Sequence, residues 1–135
     1  MAQSEVYAGI CGFSATIDVK QLDNKHVQVI IHSECEQITA MNPDLANIQW
    51  KGKGHEVFKR MTDSVVYQSA AKHIRHPGCP VPAAVLKTIE VEVGTALPED
   101  VTIRFVKSNS DAIPDSSSKK LQEMAFESLS MNENE

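Results

Sequence analysis

Two runs of apolar residues, Phe13-Ala15-Ile17-Val19 and Val27-Val29-Ile31, both fall on odd positions, and this alternation constrains the chain more than any other feature. A period of two is the pattern of a strand with one buried face. Between the runs lies Gln21-Leu22-Asp23-Asn24-Lys25, a cluster of turn residues, so the pair reads as an antiparallel hairpin. Burying both sets on one face requires odd residues opposite odd residues, because a slip of one residue turns every apolar side chain outward. A three-residue loop, Leu22-Asp23-Asn24 with Asn24 left-handed, meets that requirement. It predicts Val19 opposite Val27, Ile17 opposite Val29 and Ala15 opposite Ile31, then Phe13 opposite Ser33 and Cys11 opposite Cys35. Directly opposed residues have Cβ atoms roughly 4.5–5.5 Å apart, so the first two thiols become neighbours at the open end of the hairpin.

After Cys35 the period changes. Ile38, Met41, Leu45 and Ile48 recur at helical spacing, and Asn42-Pro43 divides them into two short helices, with Asn42 capping the second. Lys51-Gly52-Lys53-Gly54 is a loop that lacks the ending and the preceding strand of a phosphate loop. Helical stretches follow over Glu56–Met61 and Ser64–Ile74, with Thr62, Asp63 or Ser64 as caps. Val81, Val85, Ile89 and Val93 form one stripe of a further helix that stops at Gly94. Pro80 suits the first helical position of that helix, which makes Cys79 its N-cap. A late strand, Val101–Val106, closes the fold. The expected class is α+β, an amino-terminal antiparallel hairpin sheet with helices packed on one face. The expected domain spans residues 1–107, followed by a Ser-, Asp- and Asn-rich tail, 108–135, that reads as disordered apart from a transient helix over Lys120–Leu129.

Composition narrows the function classes. With 135 residues, 41% of them hydrophobic, the chain can bury one core. No apolar run approaches the roughly 18–20 residues that span a bilayer, and Met1–Glu5 lacks the pattern of a signal peptide. A cytoplasmic protein with no membrane role is expected. Of the net charge of −5, most belongs to the tail, where Asp111, Asp115, Glu123, Glu127, Glu133 and Glu135 face only Lys119 and Lys120. A near-neutral body gives no basic face for nucleic acid. Lys51, Lys53, Lys59, Arg60, Lys72 and Arg75 read as solvated faces.

Three cysteines is an odd count, and cytosolic thiols stay reduced, so a disulfide framework does not fit. A cysteine at a helix N-terminus has its thiolate stabilised by free backbone N–H groups and the helix dipole. Cys11, Cys35 and Cys79 are therefore candidate ligands, with His76, three residues before Cys79, as the natural fourth. Three thiolates and an imidazole suit zinc or an iron–sulfur cluster. His73 is a weaker candidate, and His26, His32 and His55 read as surface residues. Two alternatives stay open: a persulfide carried on Cys79, and an interaction domain with inert thiols. No nucleophile elbow or glycine-rich nucleotide fingerprint is present, so an enzyme is not the expected reading.

The order Cys11-Gly12, alternating hairpin, Cys35, helices, then Cys79 before a helix resembles the NifU amino-terminal or IscU-like iron–sulfur scaffolds over Tyr7–Gly94. That resemblance implies cluster binding by Cys11, Cys35 and Cys79, with a cysteine desulfurase or an iron–sulfur client protein as partner. Phe13 stands where those scaffolds carry aspartate and Gly78 where they carry histidine, and their Leu-Pro-Pro-Val-Lys motif is absent, which argues against delivery through their chaperone. A more specific resemblance runs over Val6–Phe105, to a domain-of-unknown-function family of small proteins from anaerobic bacteria and archaea. It rests on Ala8-Gly9-Ile10-Cys11-Gly12-Phe13, Ser33-Glu34-Cys35, Cys79-Pro80-Val81-Pro82 and Ala96-Leu97-Pro98. Cys79-Pro80-Val81-Pro82 is also similar to the motif of the TusA-like sulfur carriers, which implies sulfur trafficking through Cys79.

Overall fold

The odd-position residues need a common buried face, and an antiparallel pair supplies it in the computed structural model, which describes residues 1–52 and 55–107. Strands β2 (Ser14–Gln21) and β3 (His26–Ser33) bury Ala15, Ile17, Val19, Val27, Val29 and Ile31, whereas Phe13, expected on the same face opposite Ser33, precedes β2 and is exposed. The register differs from the expected one by two residues: Val19 faces Val29, Ile17 faces Ile31 and Ala15 faces Ser33. The cause is in the loop, which begins one residue later than expected. Leu22 N–H donates to the His26 carbonyl at 2.9 Å, and Asp23 Oδ1 accepts the N–H groups of Lys25 and His26 at 2.7 and 2.9 Å. Asp23 thus organises the turn, and Asn24 is not left-handed, since among the described residues only glycines have positive φ. A shift of two preserves the buried face, which is why the pattern alone does not decide between the two registers.

Two further strands complete a sheet of order β1-β2-β3-β4. Strand β1 (Ala2–Tyr7) pairs antiparallel with β2 from Ala2–Val19 to Tyr7–Ser14. Its sequence, AQSEVY, is mostly polar, and only Val6 among its large side chains packs on the core, so alternation does not reveal it. Strand β4 (Ile48–Gln49) pairs with Val27 and His26. Ile48, expected on a helix, is therefore a strand residue.

Helices α1 (Glu36–Thr39), α2 (Val65–His73) and α3 (Val81–Glu92), with a 3-10 turn at Asn42–Leu45, cover the sheet face that carries the apolar residues. Ile38, Met41 and Leu45 fill the core as the spacing predicts. Met41, not Asn42, precedes the second short helix, and the Asn42 amide instead accepts Ile31 N–H at 2.8 Å and donates to the Ile31 carbonyl at 2.9 Å. The Glu56–Met61 stretch resolves into two 3-10 turns, Glu56–Phe58 and Met61–Asp63. Ser64 caps α2 through Tyr67 N–H. On α3 the stripe Val81, Val85 and Ile89 is fully buried over β1 and β2, and Gly94, at φ +82°, follows its C-cap. Its N-cap is Pro80, so Cys79 sits one residue ahead of the cap.

The chain divides after Glu99. In the second unit, Asp100–Lys107 are exposed and carry no regular secondary structure. The late strand expected over Val101–Val106 is thus not formed, because among the described residues this segment joins no ladder and alternation alone does not make a strand. The tail 108–135 and the helix expected within it lie outside the described residues. No described helix is long and apolar enough to cross a membrane.

Candidate functional site

Each cysteine sits on a different connection. Cys11 ends the 3-10 turn Gly9–Cys11 between β1 and β2 and is exposed. Gly9 and Gly12 flank it at φ +83° and +78°, conformations that favour glycine. Gly12 N–H closes the turn on the Gly9 carbonyl at 3.0 Å. Cys35 follows β3 as the N-cap of α1 and is half-buried against the core. Its N–H donates to Ser33 Oγ at 3.1 Å, and the Ser33 hydroxyl donates to the Ser14 carbonyl at 2.7 Å, fixing Cys35 to the start of β2. Cys79, also half-buried against the core, closes a turn through its N–H to the His76 carbonyl at 3.0 Å.

The topology brings these three connections to one end of the sheet. Tyr7, Ser14 and Ser33 mark that end, through the pairs Tyr7–Ser14 and Ala15–Ser33. Helix α3 is oriented by its contacts: Glu92 accepts Gln21 N–H at 3.2 Å at the opposite end, and Thr88 Oγ1 meets Ser4 Oγ at 2.7 Å midway. Its N-terminus, with Cys79, therefore points to the end that holds Cys11 and Cys35. Burial pushes the Cys79 thiol above its ordinary value, the Val81 N–H pulls it down, and charge at Cys35 and then Cys11 pushes it up again. Cys79 is thus within electrostatic reach of the other two cysteines.

Strand pairing is not what unites them. The ladders stop at Ser14 and Ser33, so the expected opposition of Cys11 and Cys35 does not occur, and turns deliver the two thiols instead. Among the described residues, no three His, Cys, Asp or Glu side chains stand close enough to hold a metal ion as they are placed. The donor types nevertheless suit a soft metal, since two of the three thiols are packed on the core and the third sits on a glycine-flanked turn.

His76 is exposed and lines a cleft of about 250 Å³ with Tyr67, Ala70, Ile74, Cys79 and Pro82. The cleft is mostly apolar and lies between α2 and the His76–Cys79 turn. Its α2 wall is legible in the sequence as Tyr67, Ala70, Ala71 and Ile74 at helical spacing. His73 is engaged elsewhere, with Nε2 at 3.2 Å from Asp44. His26 and His32 lie at the surface on Asp23 and Asp18. His55 does not: its Nδ1 and the Nε1 of Trp50 are both buried without a hydrogen-bond partner among the described residues, and the two rings stand nearly perpendicular at 6.0 Å. Arg60 and Lys72 pair with Asp63 and Asp44 at the surface, as expected of solvated faces, whereas Lys59, expected on such a face, pairs with the buried Glu56.

No curated protein and no solved structure matches the chain. Residues 2–105 match DUF6951, a family of unknown function, and the match takes in the whole sheet and all three cysteines. With Cys11, Cys35 and Cys79 all inside that span, the chain belongs to the DUF6951 family.

Proposed function

We propose that this protein binds a soft metal centre, zinc or an iron–sulfur cluster, through Cys11, Cys35 and Cys79. The observation that carries the reading is that three separate connections each deliver one cysteine to the same end of the sheet. Burial, and charge at Cys35 and Cys11, both oppose ionising the Cys79 thiol. A bound cation offsets both, and thiolate ligation releases the protons. Of the three cysteines, Cys11 is the exposed one, on a turn between two glycines. His76 is the candidate fourth ligand within the chain. The order of the cysteines is similar to that of NifU- and IscU-like scaffolds, which supports a cysteine desulfurase or an iron–sulfur client as partner, in a reducing cytoplasm.

The test is anaerobic purification followed by an absorption spectrum and assays of iron, zinc and labile sulfide on one sample. Near-stoichiometric zinc, or iron with sulfide, is expected, and a serine at any of the three positions should lower it while far-ultraviolet circular dichroism is unchanged. Metal-free protein that takes up neither zinc nor reconstituted cluster would sink the reading.

A second reading is favoured by one feature, the place of Cys79 on the wall of the cleft, one residue ahead of the N-cap of α3. In it, the Cys79 thiolate attacks the outer sulfur of a donor persulfide, the donor thiolate leaves, and Cys79 holds the persulfide. Sulfur acceptance from a cysteine desulfurase that survives Cys79→Ser would exclude it.

A further inference from the structure

The two edges of the sheet are treated differently. On the β3 side, β4 pairs with His26 and Val27, Trp50 N–H extends this to the Lys25 carbonyl at 2.9 Å, and the Asn42 amide satisfies both backbone groups of Ile31. Among the described residues, the β1 side has no such hydrogen-bonded cover. Ala8 N–H donates to the Phe13 carbonyl at 3.2 Å, which marks that pair as hydrogen-bonded. By alternation Val6, Ser4 and Ala2 bond toward β2, and the N–H and C=O groups of Gln3, Glu5 and Tyr7 point outward. Among the described residues, none of these bonds beyond the β1–β2 ladder. The strand is six residues long and continuously paired, with no proline, glycine or bulge, and of the devices that normally blunt an edge it carries a single charge, Glu5.

We propose that β1 pairs antiparallel with β1 of a second copy, about a two-fold axis at Ser4, joining two four-stranded sheets into one. Outward-pointing groups lie on odd residues, so only registers that set odd opposite odd are available. An axis at Glu5 places two like charges directly opposite, which is destabilising. An axis at Gln3 pairs little more than Ala2–Ser4. The axis at Ser4 instead sets Gln3 opposite Glu5 of the second copy, twice, and Ala2 opposite Val6, twice. Gln3 already donates one amide hydrogen to Asp18 at 2.6 Å and has a second to give the incoming carboxylate. Because the strands are antiparallel, the two cysteine sites lie at opposite ends of the joined sheet, and each belongs to one copy.

Sedimentation equilibrium of the full chain, reduced and with chelator present, separates this from the metal reading. A reversible dimer is expected, with slowed amide exchange at Gln3 and Glu5. Glu5→Pro removes an outward N–H and fills the edge, which an edge strand tolerates, and should give a folded monomer. Gln3→Lys faces the Glu5 carboxylate twice and should tighten the dimer by about two- to thirtyfold. A monomer at all concentrations, with or without protected β1 amides, overturns the proposal. So does a dimer unaffected by Gln3→Lys, a result that stands even if Glu5→Pro unfolds.

Discussion

Glu56 is 2% exposed, yet its carboxylate is fully engaged. It accepts the Ser64 hydroxyl, the N–H groups of Val65 and Val66 at 3.2 Å each, and Lys59 Nζ at 3.2 Å. A residue eight positions upstream therefore satisfies the free N–H groups at the start of α2, which local capping patterns cannot reveal. Glu56→Gln keeps the shape but replaces one acceptor with a donor facing donors. We expect a loss of about 2 kcal/mol, and about 3–5 kcal/mol for Glu56→Ala, read from urea unfolding. Asp44 gives a pH-dependent counterpart. The Ser69 hydroxyl at 2.7 Å holds its carboxyl below the usual range, partial burial opposes this, and Lys72 and His73 add to the lowering. A lowered folded pKa means the unfolded chain binds protons first as pH falls. The contribution is complete above about pH 4 and is lost as pH drops through the folded value below it. Asp44→Asn should therefore flatten the acid limb of the urea midpoint against pH between about 6 and 2, and parallel curves would contradict the assignment.

At the scale of elements, what could be read from sequence was the set of faces. The odd-position stripe from Ala15 to Ile31 and the Val81-Val85-Ile89 stripe each found the core as expected, because burial enforces them, while Phe13 at the end of the first run is exposed. Register could not be read, since a two-residue shift keeps the same face and the choice rests on Asp23 bonding within its own loop. Strand β1 was illegible for another reason: it is held by ladder bonds and α3, with little apolar surface of its own. Asn42 shows how one polar side chain can stand in for a missing strand. It fills the edge of β3 beyond the two residues of β4, giving an acceptor to Ile31 N–H and a donor to its carbonyl. Asn42→Ala leaves both partly buried groups unpaired and should cost about 2–3 kcal/mol, with faster exchange of the Ile31 amide. Asn42→Asp keeps the acceptor and loses the donor, so it should protect that amide while still destabilising the domain. Equal exchange in the two variants would show that the amide is not what covers the edge.

For the whole molecule, the three cysteines were legible as a set, but their delivery to one end of the sheet depends on tertiary structure. It follows from where β1, β2 and β3 begin and end and from which way α3 runs, and no spacing in the sequence encodes the last of these. The consequence is that a metal on this site would tie residues 11, 35 and 79 together and bind the folded chain far better than the unfolded one. Such binding stabilises by about 2.7 kcal/mol when free ligand is a hundredfold above its dissociation constant. For a domain of this size that is on the order of 10–20 °C in Tm. Zinc added to chelator-treated, reduced protein should therefore raise Tm by that order. Cys79→Ser, which removes the thiol at the start of α3, should abolish most of the rise while its metal-free Tm stays near that of the parent. A zinc-dependent rise of equal size in Cys79→Ser would place the metal elsewhere, since a site without Cys79 does not link α3 to the sheet.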